Sequence, residues 1–227
     1  VKRQANAVVA GLFLFVALSV FPAFAEAIEI TKTGFGYSHF AGARFGAWAM
    51  LGDETVTDGV SQPVELSAGA LYGEFFYAHR VHPMISAEIS IGVFSQGDIT
   101  YDAGSAVYYY GAKVYPILIS AKFYPFSANT GHSMHPYLRA GGGVAYGTRD
   151  AIDPYYYGYD YFIEDTETKF TYAVGAGVDW AVASQIGLNL DFKYVPIKFG
   201  KPLAGFKDYS GWQLVFGVGY IFQSKKH

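Results

Sequence analysis

Several groups of residues in this 227-residue chain are of types that do chemistry. Glu74 and Glu88 form a carboxylate pair that can share a proton or divide acid and base roles if they face one another. They also belong to a wider set of charges, Arg44, Glu74, Glu88, Lys122, Arg139, Asp179, Asp191 and Lys193, in which four acids meet four bases. For that set mutual ion pairing is the favoured reading, because it leaves no buried charge alone. His79, His82, His132 and His135 make two His-x-x-His pairs, and neutral imidazole suits zinc or copper. Interfacial turn histidines are the commoner case, so the expectation is no metal and no cofactor. His132-Ser133 is an adjacent base and hydroxyl with no orienting carboxylate, so no catalytic residue is expected. A last group, Tyr155, Tyr156, Tyr157, Tyr159, Tyr161 and Phe162, lies among Asp150, Asp153, Asp160, Glu164, Asp165 and Glu167. Such tyrosines bring contact area at low entropic cost and are candidates for recognition. Their alternatives are an aromatic girdle or, in a minor reading, an acidic site for divalent cations.

The elements that must position these residues are strands. Lys2 and Arg3, the apolar run from Ala7 to Phe21 and the small-x-small site Ala23-Phe24-Ala25 read as a cleaved signal peptide over residues 1–25. Lys2 and Arg3 are the charged residues of that segment, so its removal takes the formal charge from −3 to −5. An acidic exported chain argues against nucleic acid, which asks for a basic patch. With no cysteine there are no disulfides and no thiolate metal sites. Aromatics make up 19% of the chain and charged residues only 15%. A soluble protein carries about 25% charged residues, and an exterior facing lipid accounts for the shortfall.

Period-two alternation of apolar with small or polar residues recurs eight times after residue 25. The runs are Tyr37 to Leu51, Val64 to Tyr77, Ile85 to Val93, Val107 to Tyr124, Tyr137 to Tyr146, Phe170 to Trp180, Ile186 to Tyr194 and Gly211 to Phe222. In the first seven, the charges named above fall on the face opposite the large apolar residues. The connections alternate between long and short. The long ones are Gly52 to Pro63, Ser95 to Ala106, Thr148 to Lys169 and Pro196 to Ser210. The short ones include His79 to Pro83, Pro125 to His135 and Ala181 to Gln185. This pattern predicts an all-β fold, an eight-stranded antiparallel transmembrane β-barrel with long outer loops and short periplasmic turns. The domain covers residues 26–222 and residues 223–227 form a short tail. An eight-stranded barrel is narrow enough for side chains to fill, which argues against a wide aqueous pore.

Four segments carry a family likeness: Pro136 to Val144, Val174 to Asp179, Leu188 to Tyr194 and Gly217 to Phe222. They resemble small Gram-negative outer-membrane barrels, most closely the outer membrane protein W family and more loosely the barrel of the outer membrane protein A superfamily. The resemblance implies the outer membrane as the location. It implies insertion by the outer-membrane assembly machinery, which in such proteins reads a last strand ending in an aromatic. Here that strand carries Phe216, Val218, Tyr220 and Phe222. It also implies passive passage of small hydrophobic molecules that leave sideways into the membrane. A structural or surface-binding barrel, contacting lipopolysaccharide or a partner through its outer loops, is the alternative. A lipid A-modifying enzyme is a lesser one.

Overall fold

The computed structural model describes residues 39–51, 55–56, 64–65, 69–102, 107–126, 133–152, 165–203 and 206–222. Eight strands close into one antiparallel barrel. They are β1 (His39–Met50), β4 (Gly69–His82), β5 (Ile85–Asp102), β6 (Val107–Phe123), β7 (Met134–Ile152), β8 (Asp165–Ala181), β9 (Ile186–Val195) and β12 (Gly211–Phe222). Each pairs with its neighbour in sequence, and β12 returns to pair with β1 from His39↔Phe222 to Met50↔Gly211. Two short hairpins sit outside this cycle: β2 (Thr55–Val56) with β3 (Val64–Glu65), and β10 (Lys198–Leu203) with β11 (Phe206–Asp208). The expected signal peptide at residues 1–25, the tail at 223–227, His132 and the cluster from Tyr155 to Phe162 lie outside the described residues.

Alternation fixes which way each side chain points. Phe45, Leu71, Phe75, Ile89, Ile91, Ile119, Leu138, Phe170, Val174, Phe192, Phe216 and Val218 stand on the outer face and are exposed. This apolar belt is what hydrocarbon covers in a membrane barrel. Aromatics mark its borders. On the outer side Phe192 stacks on Trp212 with ring planes 2° apart, and Tyr115 lies against Tyr146. On the periplasmic side Tyr220 meets Phe222 with centroids 4.7 Å apart. Rings at both edges are where an apolar body and a polar tip match the interface.

The boundaries differ from the sequence expectation in several places: the expected second strand from Val64 begins only at Gly69, Val64–Glu65 pairs instead with Thr55–Val56 in a separate hairpin, and β7 starts at Met134 within the expected turn from Pro125 to His135. The second strand continues through His79, Arg80, Val81 and His82, and the turn is confined to Pro83-Met84. The pairing register shifts between Arg80 and His82, and this bulge breaks the alternation by which a strand is recognised. Most of the expected second loop is strand: β5 runs on to Asp102, with a second register shift between Gln96 and Ile99 hiding it. The expected third loop is likewise shortened from both ends, by β7 to Ile152 and β8 from Asp165. The expected fourth loop is not open: it contains the hairpin of β10 and β11, whose apolar side chains are buried.

The wall is uneven in height. Strands β5 to β8 have 18, 17, 19 and 17 residues, against 12, 10 and 12 for β1, β9 and β12. A tilted crossing needs about 9–11 residues. The long strands therefore rise above the membrane as a four-stranded wall, while the short side ends near its surface.

The inner face tolerates the large Arg44 because its cross-strand partner on β12, Gly217, is small. A Cβ on Gly217 of β12 would come within 2.6 Å of the Arg44 Cγ and 2.9 Å of the Ala43 carbonyl oxygen. Gly217→Val should therefore destabilise the barrel by about 1–3 kcal/mol, the usual cost of overpacking. Ala43→Val on the lipid side should be tolerated. Urea midpoints of the two variants in lipid vesicles, read by heat-modifiable gel migration, will show the difference.

Candidate functional site

The lumen is filled in three layers. Nearest the periplasm Phe40, Phe76, Ala78, Ala181 and Ile221 form an apolar layer. Above it lies the charged layer, and above that a larger apolar cluster that includes Trp48, Met50, Tyr72, Phe94, Leu118 and Val215 from the wall.

The charged layer brings together all eight charges that the alternation places inside. Arg44, Glu74, Glu88, Lys122, Arg139, Asp179, Asp191 and Lys193 are each buried. Seven barrel strands supply them, and β12, which supplies none, passes Arg44 with Gly217. Six of the charges close a ring across the lumen. Arg44 donates from Nη1 and Nη2 to both oxygens of Glu88, at 2.9 and 2.6 Å. Glu88 meets Arg139 at 3.2 Å, and Arg139 meets Asp191 at 2.6 Å. Asp191 is 3.5 Å from Lys193, Lys193 is 2.7 Å from Glu74, and Glu74 returns to Arg44 at 2.9 Å. Lys122 branches from the ring, 2.7 Å from Glu88 and 3.4 Å from Asp179.

Neutral groups take up the lone pairs and faces that remain. The Tyr72, Tyr124 and Tyr137 hydroxyls donate to Glu74, Asp179 and Asp191 at 2.8, 2.7 and 3.1 Å. The Asn189 amide accepts from the Arg44 Nε and donates to Asp179, both at 2.5 Å. The Arg44 guanidinium sits 3.8 Å from the Phe76 ring centroid, and the Lys122 ammonium 4.3 Å from that of Tyr137. An aromatic face attracts a cation that has lost water. The two glutamates, considered as an acid–base pair, are thus each held between cations. Glu88 alone touches Arg44, Lys122 and Arg139.

The outer layer is completed by a segment that the sequence reading places in a loop. Ile197, Phe199, Leu203, Phe206 and Tyr209, from β10, β11 and their flanks, are buried against the wall cluster. Phe94 and Tyr209 meet edge to face at 6.1 Å, as do Phe199 and Tyr209 at 5.6 Å. The hairpin is fastened at its base, where the Tyr209 hydroxyl donates to the Leu203 carbonyl and the Ile197 amide donates to the Ser210 Oγ. It is fastened to the tall wall as well. Thr171 donates to the Pro196 carbonyl at 2.6 Å, and the Glu167 carboxylate accepts from the amides of Gly200 and Lys201 at 2.9 Å. The signal for this plug was in the sequence: five large apolar residues in a fifteen-residue connection are too many for a solvated loop.

Of the four histidines that the spacing pairs, His79, His82 and His135 are described. His79 points outward and stacks on His39, with ring centroids 4.7 Å apart. The His82 Nδ1 instead accepts from the Met84 amide within the turn, and His135 is buried in β7. Among the assembly-strand residues, Phe216, Val218, Tyr220 and Phe222 all face outward and are exposed.

A closed eight-stranded antiparallel barrel with an apolar outer belt and a charged, filled interior defines a class, the small integral barrel of the outer membrane. The chain belongs to the outer membrane protein beta-barrel domain family, whose model matches residues 12–222. The protein is accordingly located in the outer membrane of a Gram-negative bacterium. Among solved structures it is similar to OprG from Pseudomonas aeruginosa, with 16% identity and a TM-score of 0.57, over 86% of this chain and all of that one. It is similar too to Neisserial surface protein A, with 17% identity and a TM-score of 0.51, over 82% of this chain and 97% of that one. Outer Membrane Protein W of E. coli aligns at 16% identity and a TM-score of 0.36, over 85% and 100% of the two chains. No curated protein sequence matches the chain.

Two predictions follow from the geometry of the layers. Removing one partner from a buried ionic network strands the others and costs about 3–5 kcal/mol. Glu88→Gln, which leaves three cations short of an anion, should reach that range. Asp179→Asn should cost less, since Lys122 keeps Glu88 and the amide oxygen still accepts hydrogen bonds; urea unfolding in vesicles ranks the two. The second concerns Glu167, which stands above the membrane beyond the last β8–β9 pair, Val174↔Tyr194. The Lys201 backbone hydrogen bond first, then Lys169 and the Gly200 amide, hold its carboxyl down at about 2, below the ordinary 4.5. A depressed carboxyl stabilises the fold above its unfolded value and loses that contribution as pH falls toward its folded value. The Gly200 amide resonance should thus titrate near about 2 in micelles. A midpoint near 4.5 would mean that the carboxylate does not hold the hairpin.

Proposed function

We propose that this protein is a sealed, non-enzymatic barrel that acts at its outer surface, presenting the tall β5–β8 wall to lipopolysaccharide or to a surface partner. The observation that supports this reading most directly is the ionic ring. It spans the lumen between two apolar layers, and a solute moving along the axis would have to break several buried ion pairs at once. Each costs several kcal/mol to open without water to take its place. In this reading the outward Phe216, Val218, Tyr220 and Phe222 serve assembly and lipid contact, and the outer-membrane assembly machinery is the partner during insertion. The tyrosine cluster from Tyr155 to Phe162 joins β7 and β8, two strands of the tall wall, in sequence, which favours it for recognition.

A second reading, passage of small apolar molecules, is favoured by the composition of the outer layer. Trp48, Phe94, Leu118 and Val215 line an apolar space that the hairpin now fills. A molecule entering there would meet the ionic ring below and would have to leave sideways.

Planar-bilayer recordings and lipopolysaccharide binding separate the two. The sealed-barrel reading expects silent bilayers for the native protein, and binding that is lost when residues 153–164 are deleted while heat-modifiable folding is kept. Uptake of apolar solutes into vesicles that rises when Glu167→Ala frees the hairpin, with lipopolysaccharide binding unchanged by the deletion, would favour passage instead.

A further inference from the structure

We propose that Trp48, Gly211 and Gln213 form a seat for a small neutral carboxamide, entered from the outer side of the barrel and closed below by the ionic ring. Such a site goes beyond the surface role, because binding there needs neither the outer loops nor passage through the lumen. Pairing of β1 with β12 sets Trp48 directly opposite Gln213. Both side chains turn inward and are buried, at 1% and 0% exposure. The Trp48 indole nitrogen and both polar atoms of the Gln213 amide have no hydrogen-bond partner among the described residues. Gly211 lies two residues from Gln213 on the same face of β12, and a Cβ there would collide with that indole nitrogen. The indole N–H is thus held over Gly211, within about 7 Å of Gln213 along the strand.

A buried donor or acceptor left without a partner is costly, and native proteins keep few of them. Here three gather within an apolar layer, where Tyr72 and Phe94 pack against the Trp48 ring with centroids 5.4 and 4.8 Å away. They comprise the indole N–H, the Gln213 NH2 and the Gln213 carbonyl oxygen. A primary carboxamide is their complement. Its oxygen has two lone pairs, one for the Gln213 N–H and one for the Trp48 N–H, and its own N–H beside that oxygen donates back to the Gln213 Oε1. A trans secondary amide carries its hydrogen on the other side and cannot close this pair. A carboxylate offers no N–H and finds no counter-ion. Lys193, opposite Gln213 on β9, is already held by Glu74 at 2.7 Å and by Asp191 at 3.5 Å. An ammonium fares no better, since Glu74 is also taken by Arg44 and the Tyr72 hydroxyl. The apolar remainder of the ligand lies against Tyr72 and Phe94. Its approach is at the root of the plug hairpin, because β12 begins at Gly211 directly after the buried Tyr209 and Ser210.

The test is titration of the full chain, nitrogen-15 labelled in lipid nanodiscs, with butyramide and with butyrate, read by the indole N–H resonances. Trp180→Phe and Trp212→Phe assign the signal of Trp48, the third tryptophan of the chain. The expected result is a saturable shift of the Trp48 N–H with butyramide and none with butyrate over the same concentrations. Gln213→Leu should weaken butyramide binding by about tenfold or more, through loss of two buried hydrogen bonds. Its urea midpoint in vesicles should stay level or rise, since an amide without a partner is exchanged for an apolar group. An equal response to the two probes, no saturation, or butyramide binding unchanged in Gln213→Leu overturns the proposal. So does a long-lived water, seen by cross-relaxation to the Trp48 N–H, that butyramide fails to displace. The native spectra decide the matter even if Gln213→Leu fails to fold. Deleting residues 153–164 should leave butyramide binding as it is, so that failure of the surface role and failure of this seat are told apart; loss of binding in that variant would count against the seat.

Discussion

Taking an ion out of water costs several kcal/mol after relaxation, and a narrow lumen full of side chains leaves little water to repay it. Eight ions are held there, and the arrangement is possible because every one of them has partners of opposite sign within the same layer. The ring ties together strands far apart in sequence: Arg44 to Glu88, Arg139 to Asp191, Lys193 to Glu74. The last of these, from β9 to β4 across the β12–β1 seam, cannot form until the barrel has closed. Stability of the lumen is thus conditional on closure, and the register of each charged strand is fixed by it, since a slip of one residue would turn a charge toward lipid.

The apolar layers on either side follow from that constraint. Phe40 and Phe76 below, and Trp48, Tyr72 and Phe94 above, keep water from the ring and lend it aromatic faces and hydroxyls. Excluding water strengthens each ion pair, while any unpartnered charge would become more costly for the same reason. The arrangement is therefore stiff by construction. Its weak direction is not the axis but the outer layer, where the cover is a hairpin fastened by a few hydrogen bonds.

How much of this the sequence shows depends on the element. The eight barrel strands and all eight inward charges are legible because lipid on one side and a crowded lumen on the other force a strict period of two. Arg44 and Lys193 stand out against apolar neighbours for that reason. The strand ends are less legible, because bulges near Arg80 and Gln96 shift the period by one residue. The large inward residues Phe40, Trp48, Tyr72 and Phe94 are harder again. In an inside-out fold, apolar character alone does not tell the lipid face from the lumen, and only the charges in the same phase do. The partnership of His39 with His79 is invisible to local spacing, since it arises across two strands forty residues apart in the chain.

The plug hairpin and the uneven wall are best understood as one feature. Beyond Val174, β8 has run past the top of β9, and its edge carries backbone groups that a sheet neighbour would normally satisfy. The chain leaving β9 at Val195 passes beside that edge. Thr171 holds Pro196, and Glu167 gathers the amides of Gly200 and Lys201, so the hairpin is attached to the tall wall by side chains instead of a ladder. The same turn of the chain sends Phe199, Leu203, Phe206 and Tyr209 down over the lumen. One short side of the barrel thereby supplies both the cover for the exposed edge and the outer seal. Lengthening β9 to match β8 would remove the need for the first, and with it the chain that provides the second.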